Sequence, residues 1–154
     1  MKFIKPKVEY LPQSEGIKGI YKQIEYCART CYKSEDNITD NSAVKFVKKL
    51  IENKHIAMLE HSAVYLKIPT SYSSVLYVHL SNFYSLNPYS SVEYDEGVLY
   101  VTTSYRVIVE NNLFDDLKYA CEPTEFHEKR YTFKFTTDIG TAREFTRHKI
   151  LCVA

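Results

Sequence analysis

Apolar residues recur along this chain in two periods. Over residues 17–31 they fall at Ile17, Ile20, Tyr21, Ile24, Cys27, Ala28 and Cys31, while Lys18, Lys22, Glu25 and Arg29 face away. That i, i+3, i+4, i+7 spacing predicts an amphipathic helix. A second helix follows Asp40 or Asn41, either of which can cap it. Val44, Val47, Leu50 and Ile51 make its core stripe, Lys45, Lys48, Lys49 and Glu52 its wet face, and Asn53 ends it. The period then falls to two: Val64, Leu66 and Ile68 alternate with Ala63, Tyr65 and Lys67 in a strand that Pro69 closes. Residues 92–94 and 98–109 flank Asp95-Glu96-Gly97 and predict a hairpin, with Gly97 supplying positive φ. Its second arm alternates through Leu99, Val101, Tyr105, Val107 and Val109 until Asn111-Asn112.

The remaining segments are weaker in pattern. Residues 1–10 read as a short extended segment interrupted by Pro6, followed by a loop with Pro12, Ser14 and Gly16. Residues 75–84 fit a short helix or a strand equally. A short helix over 113–120 ends before Pro123, and a strand over 130–136 puts Tyr131, Phe133 and Phe135 on one face. Thr137 or Asp138 then caps a helix running to about residue 149. Helices with mainly hairpin-linked strands predict one α+β domain over residues 1–154, built on an antiparallel sheet.

Composition narrows the function classes. Lys and Arg number 20 against 19 Asp and Glu, a net charge of +1, so there is no general pull toward nucleic acid or an anionic membrane. No apolar run approaches the roughly 20 residues of a membrane span, and residues 1–7 lack the apolar core of a signal peptide. Cys27, Cys31, Cys121 and Cys152 have neither zinc-site nor disulfide-framework spacing, and reduced thiols in a cytoplasmic protein are expected. There are fourteen tyrosines and no tryptophan, and most of the tyrosines fall in the strand-like middle, where aromatics suit a pleated surface.

Two clusters carry candidate chemistry. On the last predicted helix Arg143 and Arg147 share one stripe and Glu144 and His148 the next, with Lys149 at its end and Ile139, Ala142 and Phe145 largely opposite. Guanidinium forks match phosphate and carboxylate geometry, although cations at a helix C-terminus also arise simply from the macrodipole. The second cluster is His55…Glu60-His61, between helix and strand. Its spacing is not that of a zinc helix, and a capping or hydrogen-bonded histidine pair is the plainer reading. Cys31 closes the buried stripe of the first helix, so core packing is expected of it. His79 and His127 belong to no motif.

The order of these segments resembles the flavin-dependent thymidylate synthase family. The resemblance lies in Cys27-Ala28-Arg29-Thr30-Cys31, then His55-Ile56-Ala57-Met58-Leu59-Glu60-His61 entering a strand, then Glu144-Phe145-Thr146-Arg147-His148-Lys149. It implies reductive methylation of deoxyuridylate (dUMP) to thymidylate, with methylenetetrahydrofolate and NADPH as co-substrates and FAD as hydride carrier. It also implies a homotetramer with each flavin held between subunits. In matching positions His55, Ala57 and Glu60 belong to the flavin-binding segment, and Cys31 stands where a flavin-contacting Ser is common. Arg147 and His148 match the first two residues of an Arg-His-Arg signature that holds flavin and nucleotide and stabilises negative charge there. Glu144 stands where a nucleotide-facing Gln is usual.

Three departures accompany the resemblance. Lys149 replaces the second signature Arg and loses the planar fork. Glu144 brings a negative charge toward a phosphate-bearing substrate unless Arg143 or Arg147 pairs with it. After Lys149 the sequence reads Ile150-Leu151-Cys152-Val153-Ala154 in place of a Ser- and Arg-containing substrate loop. An N-terminal portion with little synthase activity by itself is therefore expected. The alternative is a non-catalytic flavin- or nucleotide-binding subunit, or one half of a split enzyme that pairs with a C-terminal half.

Overall fold

The computed structural model describes residues 5–69, 75–145 and 147, and of residues 75–79 and 81 the backbone only. Strand β1 (Lys7–Leu11) leads to helices α1 (Gly16–Cys31) and α2 (Ser42–Glu52). Strand β2 (Ala63–Pro69), helix α3 (Val75–Leu86) and strands β3 (Ser91–Asp95) and β4 (Val98–Ser104) follow. Helix α4 (Tyr105–Glu110), strand β5 (Thr132–Thr136) and helix α5 (Ile139–Phe145) complete the order. Short 3-10 segments occupy Glu35–Asn37, Ile56–His61 and Phe114–Tyr119. Helices and antiparallel strands mix as the α+β pattern requires, and residues 75–86 resolve to a helix.

The main sheet is antiparallel in the order β2-β4-β3. Asp95 pairs with Val98, leaving the two-residue loop Glu96-Gly97, both at positive φ (41° and 82°). This is the hairpin loop whose twist matches its strands. The expected alternation in the second arm does not hold. β4 is covered on both faces: Leu99 and Val101 are buried, and so are Tyr100, Thr102 and Thr103. Nor does the arm reach Val109. Ser104 stops the strand, its hydroxyl accepting a 3.5 Å bond from Val107 N–H, and residues 105–110 coil into α4. Burial of Tyr105, Val107 and Ile108 overrides their strand propensity.

α1 and α2 cover the sheet. Ile20, Ile24 and Ala28 of α1 and Val47 and Leu50 of α2 join Leu59, Val64, Leu66, Ile68, Leu99 and Val101 in one core. Two details differ from the helical pattern. In α2, Ala43 is buried while Val44 is 46% exposed, so the stripe is rotated from the expected one. In α1, Ile17 is exposed and Glu25, expected on the wet face, is 1% exposed. Glu25 Oε1 accepts from Arg29 Nε at 2.8 Å, and its Oε2 lies 2.9 Å from the Ser42 hydroxyl at the start of α2. Asn41 takes the cap position without a side-chain bond. Ser42 Oγ instead accepts from Thr39 N–H at 2.9 Å.

The segment after Phe114–Tyr119 closes the outer edge of β2. Cys121 N–H donates to Tyr65 O at 2.9 Å, and His127 Nε2 lies 3.1 Å from Leu66 O. Covering an edge in this way removes a template for unwanted strand pairing. Strands β1 and β5 form a separate two-stranded ribbon, with Val8 opposite Phe135 and Tyr10 opposite Phe133. Asp138 caps α5: its carboxylate accepts from Thr141 N–H at 3.0 Å and from the Thr141 hydroxyl at 2.7 Å.

Candidate functional site

Two helix ends converge to place His55. α1 ends with Lys33 at φ 50°, Lys33 N–H donating to Thr30 O and Ser34 N–H to Arg29 O. α2 ends the same way: Lys54 has φ 59°, its N–H reaches Ile51 O at 3.0 Å, and His55 N–H reaches Leu50 O at 2.8 Å. Both are Schellman closures, with Lys in the left-handed position that glycine usually takes. They turn Tyr32 and His55 toward each other. The Tyr32 hydroxyl is 3.2 Å from His55 Nδ1, and the rings lie 6.1 Å apart. Among the described residues, His55 Nε2 carries no hydrogen bond.

Beside this pair lies a cleft of about 610 Å³ between α1 and α2. That volume is of the order that small-molecule sites occupy. Lys45 and Lys49, one turn apart on α2, supply cations, and Tyr32, Phe46 and His55 supply rings. Arg29 also lines it, but its charge is engaged by Glu25 and its guanidinium lies 4.3 Å from the Phe46 ring centroid. The cleft therefore presents two unburied ammonium groups over an aromatic wall, a suitable surface for a phosphate-bearing planar molecule.

The other expected site residues are spread more widely. Cys31, expected in the core, is exposed at the last turn of α1 next to Tyr32. The core cysteine of α1 is Cys27, whose thiol burial pushes up to about 11. Ala57 is exposed on the 3-10 turn. Glu60 is held 2.9 Å from Arg106 Nη1, whose Nε also bonds Glu110 at 3.0 Å. Arg106 lies in a stretch whose alternation predicts a strand, so its partnership has no sequence signal. Tyr32 and Ser42 carry no sequence signal for a similar reason, because their roles arise only where α1 meets α2. His61 is held below its ordinary value by burial, against the raising effect of Glu60.

Glu144 and Arg147 pair with each other at 3.0 Å, both exposed. His148 and Lys149 lie outside the described residues. Among the described contacts, Phe145 ties α5 to the ribbon by packing 4.8 Å from the Phe135 ring. The described residues do not bring Arg147 to His55 or Glu60, whose partners are Glu144, Tyr32 and Arg106 respectively. Among the described residues no group of three His, Cys, Asp or Glu side chains is placed to hold a metal ion, and no helix is long and apolar enough to cross a membrane.

Comparison of the chain with known protein families, with curated proteins and with solved structures finds no match. The class that the structure itself defines is a mixed helix and antiparallel-sheet protein with a basic, aromatic-walled cleft at the α1/α2 junction.

Proposed function

We propose that this chain is part of a flavin-dependent thymidylate synthase and that it furnishes one side of the flavin site. The fold would then be the thymidylate synthase-complementing-protein fold, and the reaction reductive methylation of dUMP to dTMP with methylenetetrahydrofolate and NADPH. The supporting observation is the place of His55. The first residue of the His…Glu-His segment stands at the mouth of a cleft furnished with Lys45, Lys49, Tyr32 and Phe46.

The donor set fits FAD. Lys45 and Lys49 would meet phosphate oxygens by charge, while the Tyr32 and His55 rings offer stacking faces and His55 Nε2 a polar contact. Tyr32, bonded to Nδ1, holds the imidazole in one orientation. Cys31 and Ala57 are exposed next to cleft residues in the chain, Tyr32 and His55, without lining the cleft themselves. Bound flavin supplies hydride transfer; the chain's part is to bind and orient it. Arg147 and Glu144 belong to the nucleotide side, and they would meet the His55 side when copies of the chain assemble as a homo-oligomer or with a complementing C-terminal half. Free thiols at Cys27, Cys31 and Cys121 support a cytoplasmic setting.

The test is a titration of the purified protein with FAD, followed by flavin fluorescence and by the bound-flavin absorbance. Saturable binding that weakens at least tenfold in His55→Ala and in Lys49→Glu is expected. Failure of the wild type to bind sinks the flavin reading. Tritium release from labelled deoxyuridylate, with both co-substrates present, separates an active synthase from a flavin-binding subunit without turnover.

A further inference from the structure

The β1–β5 ribbon is amphipathic the wrong way round. Strand alternation puts Lys7, Glu9 and Leu11 with Thr132, Lys134 and Thr136 on one face. That polar face turns to the body of the protein: Lys134 Nζ donates to the Tyr26 hydroxyl at 3.3 Å and lies over the same ring. The opposite face holds Val8, Tyr10, Tyr131, Phe133 and Phe135, exposed by 60%, 54%, 61%, 48% and 47%. Ile139 of α5, 72% exposed, extends it. The rings are already in contact along the face, Tyr10 with Phe133 at 5.5 Å and Phe133 with Phe135 at 6.3 Å.

We propose that this aromatic face is a self-association surface, on which a second copy of the chain seats the same face about a two-fold axis. Three arguments favour a copy over another occupant. The residues of the face carry no charge, so two identical faces meet without opposing like charges, and an isologous contact asks only for self-complementarity. The area is adequate: four large aromatics of about 150–250 Å² each, near half exposure, present roughly 400 Å², and the more exposed Val8 and Ile139 bring the face to roughly 600 Å² per copy. Two copies bury about 1,200 Å², the lower end of specific interfaces. The composition is also right, because tyrosine and phenylalanine are the residues that interface cores favour. The association needs no flavin and stands whatever the cleft binds.

Sedimentation velocity of the full 154-residue chain across a wide concentration range tests this. The wild type is expected to show a monomer–dimer equilibrium, which Phe133→Lys shifts to monomer at every concentration. Leu86→Lys, a charge placed on an apolar residue far more exposed than Phe133 and away from the ribbon, should leave the dimer unchanged. Circular dichroism establishes that each variant is folded. Should Phe133→Lys fail to fold, Tyr10→Ser and Phe135→Ser replace it, each expected to weaken dimerisation at least tenfold. A monomeric wild type overturns the proposal, whether the chain's own residues 148–154 or a different protein covers the face. So does a dimer that the ribbon substitutions leave intact.

Discussion

Glu25 is the residue whose role changed most between pattern and structure. Helical periodicity puts it beside Lys18 and Lys22 on the wet side of α1, yet α2 closes over that side, and Arg29 and Ser42 satisfy both carboxylate oxygens. A buried ion pair adds little compared with a well-packed apolar pair, but removing one member strands the other. Glu25→Ala is therefore expected to lower unfolding free energy by about 3 kcal/mol, read from urea denaturation. Replacing the exposed Glu144 of the Glu144–Arg147 pair should change it by less than about 1 kcal/mol. The contrast between these two acidic residues lies in their surroundings: each has an Arg three or four residues away, and sequence spacing alone does not distinguish them.

At the scale of elements, the helices begin and end by local rules that were only partly visible in advance. Asp138 is one of the two caps that the sequence offers for α5, beside Thr137. The left-handed closures of α1 and α2 were not, because the residues in them are Lys33 and Lys54 rather than glycine. A non-glycine residue at positive φ stores about 1 kcal/mol of strain. Lys33→Gly and Lys54→Gly should each raise the melting temperature and stabilise by about 0.5–1 kcal/mol. Flavin titration of Lys54→Gly provides a control, since it keeps the backbone that positions His55. At Gly19, by contrast, a Cβ would run into the Ser14 carbonyl, so the close passage of the entry loop over α1 requires glycine there.

Across the whole molecule, the fold should respond to pH through two histidines. His61 and His127 are both held below the ordinary imidazole value of 6.5, first by burial. His127 sits between the Tyr65 and Tyr100 rings, its Nδ1 accepting from Thr124 N–H at 3.0 Å and its Nε2 facing Leu66 O. The neutral form, protonated on Nε2, satisfies both contacts; a second proton would break the Thr124 bond. The unfolded chain takes up protons before the folded one, so stability is complete above the ordinary value and is lost as pH falls below it. Urea midpoints should drop between neutral pH and about pH 5. His127→Leu should lower the midpoint at neutral pH and flatten part of that drop; an unchanged slope would remove His127 from the account.

The hydropathy pattern alone located α1, α2, β2, β5 and the Glu96-Gly97 turn, because each is governed by residues a few positions apart. It could not find the end of β4, the burial of Glu25, the Arg106 partner of Glu60 or the outward turn of the aromatic ribbon. Each of those depends on which surfaces meet across long stretches of chain. The candidate site divides in the same way. The His55…Glu60 segment and Arg147 were legible as chemistry-bearing types in a telling order. That His55 shares a cleft with Tyr32, Lys45 and Lys49, while Glu60 is tied to Arg106, follows from the packing of α1 against α2. Residues near in sequence set local dihedrals and periodicity; long-range packing sets burial and partners, and these decide what a side chain can do.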